Sequence, residues 1–222
     1  GSNRAGALGE SVGMYSSRTQ GALRELAAIT RQYQSVAEGD RKTASSPIRH
    51  KVFISYHAVD AVEVLEFIEG NTDVFIPRAI GMEEDGSDII DSTNVAYIRQ
   101  TIKSKFLRDS TVTLVAIGEC TWARKFVDWE IYTSLRSDPT PNGLLAVQLP
   151  SVAGSSPSIP ARLSANLAPN GETGYANYYV PPTSQSSLRS WIQEAFDGRT
   201  SRASLLKVGG KLRERNSPCE PQ

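Results

Sequence analysis

From about residue 48 onward, short apolar runs alternate with longer stretches whose apolar positions recur at helical spacing. This is the pattern of βαβ units and a parallel sheet. Lys51 to Tyr56 reads as a buried strand, Val59 to Glu69 as a helix, and Asp73 to Ile76 as a second strand halted at Pro77, which lacks a ladder donor. Arg78 to Gly86 is a loop. Ser87 is placed to cap a long helix whose apolar positions, from Ile89 to Phe106, run almost to Ser110. Thr111 to Ile117 is continuously apolar and rich in β-branched residues, as expected of a central strand buried on both faces. Arg124 to Leu135 is helical, Leu144 to Leu149 strand-like, Tyr178 to Val180 a short edge strand, and Ser187 to Phe196 a last helix.

The flanks differ in character. Residues 1–20 are a Gly, Ser and Ala-rich flexible lead-in. Residues 21–47 hold an amphipathic helix, Gly21 to Glu38, and a linker at Thr43 to Pro47; its stripe of Leu23, Leu26, Ala27, Tyr33 and Val36 fits either the domain itself or a neighbouring subunit. The main domain then spans 48–198, and 199–222, with its charge run Lys207 to Arg215, reads as a flexible, solvated tail. Pro150 to Gly174 is longer than a domain usually leaves unstructured, and the sequence leaves open a mobile segment or a functional flap.

Charge and cysteine content narrow the function classes. The 222-residue chain has 24 Lys plus Arg against 24 Asp plus Glu, so no summed charge draws it toward nucleic acid or an anionic membrane. No apolar run approaches the ~20 residues of a membrane span. Cys120 and Cys219 lie far apart, and only the first falls in a periodic segment, so neither a disulfide framework nor a zinc site is indicated. A reducing cytoplasm is the expected location.

Right-handed crossovers place the ends of the strands, at Tyr56, Pro77, Ile117 and Leu149, along one edge of the sheet, where open α/β folds gather ligands. The loops there supply Ser55, Tyr56, His57 and Asp60, then Arg78, Met82, Glu83, Glu84 and Asp85, then Glu119, Cys120, Thr121 and Trp122. Phe126 and Glu130 follow one helical turn apart, which sets an aromatic surface beside a carboxylate. That pairing suits a flat cationic ring whose ribosyl bond needs only binding, oxocarbenium stabilisation and a positioned nucleophile. The alternative is a solvated helical glutamate beside ordinary core. A lone His57 is commonly a hydrogen-bonded loop residue, acidic triplets such as Glu83 to Asp85 are commonly solvated, and Cys120 has no partner histidine; metal binding is not expected. No glycine-rich phosphate loop follows a strand, so a dinucleotide here is a substrate rather than a cofactor.

Val52-Phe-Ile-Ser-Tyr56, the acidic second loop, Val112-Thr-Leu-Val-Ala-Ile117 and Phe126-Val-Asp-Trp-Glu-Ile131 together resemble the TIR domain superfamily, and more closely the TIR-like proteins of bacterial Thoeris antiphage defence. The resemblance covers roughly residues 50–150. It implies a flavodoxin-like α/β fold of about five parallel strands flanked by helices, with the N-terminal amphipathic helix as an extra. It also implies cleavage of the nicotinamide–ribose bond of NAD, with Glu130 at the position of the catalytic glutamate and Phe126 replacing an aromatic that is often Trp. Tyr56 and His57 would border the nicotinamide, and Met82, Glu83 and Glu84 would fall in a gating loop. The implied partners are NAD, other copies of the chain, and a separate effector reached through a diffusible, cyclic or conjugated ADP-ribose signal. His57 departs from the Arg that many NAD-cleaving TIR domains carry there, and the second loop lacks the proline and glycine arrangement of adaptor TIR domains. The rival function is a non-catalytic interaction module. A receiver-like phospho-switch fits less well, because the first strand ends Ser-Tyr-His rather than in an acidic cluster.

Overall fold

The apolar runs lie side by side in one sheet. In a computed structural model that describes residues 16–36, 48–79, 97, 100–107, 109–137, 139–168 and 172–219, the strands are β1 (His50–Ser55), β2 (Phe75–Ala79), β3 (Val112–Ile117), β4 (Gly143–Gln148) and β5 (Ala176–Tyr179). All pair in parallel, in the order β2-β1-β3-β4-β5. This is a flavodoxin-like arrangement, and its chain reversal between β1 and β3 opens the crevice where such sheets bind ligands. The helices are α1 (Ser17–Val36), α2 (Ala61–Glu69), α3 (Lys125–Ser134), α4 (Ala161–Asn166) and α5 (Gln185–Ser201).

Burial explains the layering. Leu23 and Leu26 of α1, Val64 and Ile68 of α2, and Leu188 and Ile192 of α5 cover one face of the sheet around Val52, Ile54 and Leu114. Val127 and Ile131 of α3 and Leu163 of α4 cover the other, against Val115, Ile117, Leu144 and Ala146. Each such side chain contributes about 1.5–3 kcal/mol by leaving water. β3 and β4 are buried at every position, as their continuous apolar runs require. α5 crosses β4 so closely that a Cβ on Gly143 would lie 1.9 Å from the Ala195 carbonyl oxygen. Gly143→Ala is therefore expected to lower stability by about 1–3 kcal/mol, read as a lower midpoint in urea with an unchanged slope.

Several expectations need correction. β2 does not stop at Pro77: the proline sits inside the strand opposite Val52, tolerated because β2 is outermost and needs no ladder donor on its outer side. That outer side is covered by α1, where the Thr30 hydroxyl accepts from Ala79 N at 3.2 Å and donates to Ala79 O at 3.4 Å. The amphipathic helix thus begins at Ser17 and packs on its own domain. The long helix expected from Ser87 is described only from Tyr97, and Ile102–Leu107 within it is a π-helical turn.

Pro150 to Gly174, where described, is anchored rather than loose. A 3-10 turn at Pro150–Val152 is fixed by Glu63, which accepts from the Ser151 amide at 2.8 Å and its hydroxyl at 2.6 Å. α4 then seats Arg162, 6% exposed, on Asp128.

The expected flexible tail is the largest departure. α5 runs on to Ser201, and residues 206–219 lie across α3 as a strap. Arg162 donates to the carbonyls of Gly209 and Lys211, and the Trp129 indole to that of Arg213. The strap ends in a disulfide, Cys120–Cys219, with Cα atoms 5.7 Å apart and a sequence separation of 99. No disulfide was indicated by spacing, because a single pair this far apart carries no framework pattern.

Candidate active site

α3 brings Glu130 against the end of β1. Ser55, the last residue of that strand and wholly buried, donates its hydroxyl to Glu130 Oε2 at 2.6 Å. Glu130 is itself 8% exposed. Burial pushes its carboxyl up to about 8, and the Ser55 hydrogen bond pulls the other way but does not win. At neutral pH the carboxyl is thus largely protonated in the free protein, and a cation in the crevice would favour its ionised form. The small side chain of Ser55 is what lets a helical carboxylate reach the sheet.

The loops after β1 and β3 meet beside it. His57 precedes a 3-10 turn, Ala58–Asp60, and is buried. Burial, and second the Arg124 charge, lower its pKa to about 4, so the imidazole is neutral and adds no positive charge to the crevice. Asp60 at the end of the turn approaches Gly118, where a Cβ would lie 2.3 Å from its Oδ2. A side chain at position 118 would force that carboxyl to move. Thr121 Oγ1 lies 3.4 Å from Asp60 Oδ2. Burial first, then the Glu63 charge, raise Asp60 to about 7, with Thr121 and Arg124 opposing. Two carboxyls therefore sit at the carboxyl edge with affinities for protons near neutrality, an arrangement typical of functional sites.

The aromatic residues distribute differently from the expected nicotinamide clamp. Tyr56 packs partly buried against the sheet core. Phe126 is 37% exposed, meets Trp129 edge to face at 5.4 Å, and lies under Lys125 at 5.2 Å. Trp122, in the 3-10 turn Thr121–Ala123, faces the strap, with the Arg213 guanidinium 5.9 Å from its ring centre. Met82, Glu83, Glu84 and Asp85 lie outside the described residues. Arg78, expected in a loop, is a buried strand residue held by Asp109 at 2.9 and 3.1 Å. Sequence reasoning missed Arg124, whose charge bears on both His57 and Asp60. Its position just before the Phe126 helix was the one available signal.

Residues 53–153 match the family model described as Thoeris protein ThsB, TIR-like domain. This stretch of the chain is a Thoeris-type TIR-like domain. No curated protein matches the chain. The matched span runs from within β1 to the 3-10 turn after β4, so it contains Ser55, Asp60, Phe126 and Glu130, while α1, α5 and the strap lie outside it. That match supports a TIR-family role in antiphage defence. Among the described residues no helix is long and apolar enough to cross a membrane.

Proposed function

We propose that this TIR-like domain cleaves the nicotinamide–ribose bond of NAD and passes the ADP-ribose part into a signal for a separate effector. The observation that carries the reading is the Glu130 carboxyl, buried and held by Ser55 at the carboxyl end of β1. The C–N bond breaks with its electron pair going to the pyridinium nitrogen, so nicotinamide leaves neutral. Positive charge moves to the ribose, where the Glu130 carboxylate stabilises it. The pyridinium charge helps ionise that carboxyl on binding, since unit charges about 4 Å apart attract by ~4 kcal/mol at an effective dielectric of about 20. Capture of the anomeric carbon by a group of the substrate itself, favoured where water is excluded, gives a cyclic product. The domain works in the cytoplasm and among copies of itself.

The test is chromatography of NAD incubated with concentrated protein, with the adenine product identified by mass. Nicotinamide release with a product lighter than ADP-ribose by one water supports cyclisation. Unchanged NAD at every protein concentration favours an interaction module instead.

The pH profile gives a second test. kcat/KM reports the free enzyme, in which Glu130 ionises only near 8. It should climb about tenfold per pH unit below that value and level off above it, while the kcat profile turns at lower pH because bound substrate lowers the group's pKa. Asp60→Asn should leave the inflection near 8 in place, which separates Glu130 from the carboxyl that titrates at about 7.

A further inference from the structure

We propose that the Cys120–Cys219 pair is a thiol–disulfide exchange site that latches the C-terminal strap onto the start of α3. The two cysteines differ in exposure. Cys120 is 1% exposed, whereas Cys219 is half-buried at the end of the strap. A thiolate therefore reaches Cys219 first.

What the latch holds is the stretch 123–129, which leads directly into Glu130. The Lys125 amide at the start of α3 donates to Asn216 Oδ1 at 2.9 Å. The Arg213 amide donates to Asp128 Oδ2 at 2.9 Å, and its guanidinium to the Ala123 carbonyl at 2.8 Å. Ser217 N donates to that same carbonyl, and the Trp129 indole donates to Arg213 O. Trp129 in turn packs on Phe53, the residue two before Ser55. Almost all of this is hydrogen bonding. Leu212, partly buried against Phe53 and Trp129, and Leu206 and Val208 against the α3–α4 cluster are the apolar contacts of the strap among the described residues. A segment with so little apolar burial opens locally at low cost unless tied at its end.

The partner is a dithiol reductant. One of its thiolates attacks Cys219 Sγ, forming a mixed disulfide and expelling the Cys120 thiolate, which takes up a proton. Its second thiolate attacks the mixed disulfide and frees Cys219. Two electrons and two protons pass to the pair, and the reductant leaves as a disulfide. Exchange with a low-molecular-weight disulfide runs the same steps backward and closes the latch. A reducing cytoplasm keeps such a pair open and oxidation closes it, so the closed form is the one in which α3 is fixed. The consequence for catalysis rests on the NAD-cleaving reading, but the latch itself does not.

Amide hydrogen exchange of the full chain is measured after treatment with oxidised glutathione and after excess dithiothreitol. Exchange in both 206–219 and 119–130 is expected to quicken at least about tenfold on reduction, with β3 and β4 unchanged. Cys219→Ser should resemble the reduced protein and ignore dithiothreitol. Protection of 119–130 that survives reduction overturns the proposal, as does a disulfide that dithiothreitol does not open in the folded protein. NAD turnover followed in parallel should fall on reduction. Exchange that responds while neither form cleaves NAD retains the latch and removes the NAD reading.

Discussion

Glu130→Gln is expected to slow nicotinamide release by about 10²–10³-fold or more, the usual loss when one preorganised electrostatic stabiliser is removed. Gln keeps the shape and can still accept the Ser55 hydrogen bond, so the change removes charge and little else. Stability separates this from a folding defect. Burial holds the Glu130 pKa at about 8 against the ordinary glutamate value of 4.5. The stability linked to its proton is thus complete below about 4.5 and lost as pH rises through 8. Gln has no such loss. At pH 8 and above the variant should melt at or above the wild-type temperature while failing to turn over NAD. A variant as active as wild type would remove Glu130 from the mechanism.

Asp128→Ala should be the most destabilising polar substitution in α3. Asp128 pairs with the nearly buried Arg162 through both carboxylate oxygens, at 2.9 and 3.2 Å, and also accepts from the Arg213 amide. Removing it leaves the guanidinium buried without its counter-charge, which costs about 3–5 kcal/mol. In a chain of this size that lowers the melting temperature by roughly 10 °C. Arg162→Met in the same background should recover part of the loss, because the orphaned charge goes with it. A single-variant shift under about 2 °C would mean that Arg162 is satisfied by the carbonyls of the strap alone.

How much of this was legible depends on where each signal resides. β3 could be read because burial on both faces demands the unbroken Val112 to Ile117 run. Glu130 stood out as a carboxylate one turn after an aromatic, but its contact with Ser55 joins residues 75 apart and needed the packing of α3 on β1. Pro77 misled because the rule about missing ladder donors assumes neighbours on both sides, and β2 has one. The strap misled for another reason. Its partners Arg162 and Trp129 hold it through the carbonyls of Gly209, Lys211 and Arg213, and backbone atoms leave no trace in composition. Lys207 to Arg215 therefore looked like a solvated charge run. The proton affinities of His57 and Asp60 likewise depend on burial and on Arg124, which only the folded loops reveal.

The seating of Thr30 on Ala79 has a consequence for any shortened form of the chain. An outermost strand offers its free amides and carbonyls to whatever extended segment comes near, and the outer side of β2 is covered where Phe75 and Ala79 share a core cluster with Leu23 and Leu26 of α1. A piece beginning at Ile48 would uncover Phe75 and, at the end of the strand, leave an Ala79 amide and carbonyl without the Thr30 hydroxyl. Such a fragment would stack strand to strand with its own copies, and its self-association would report the missing helix rather than any assembly that belongs to the protein.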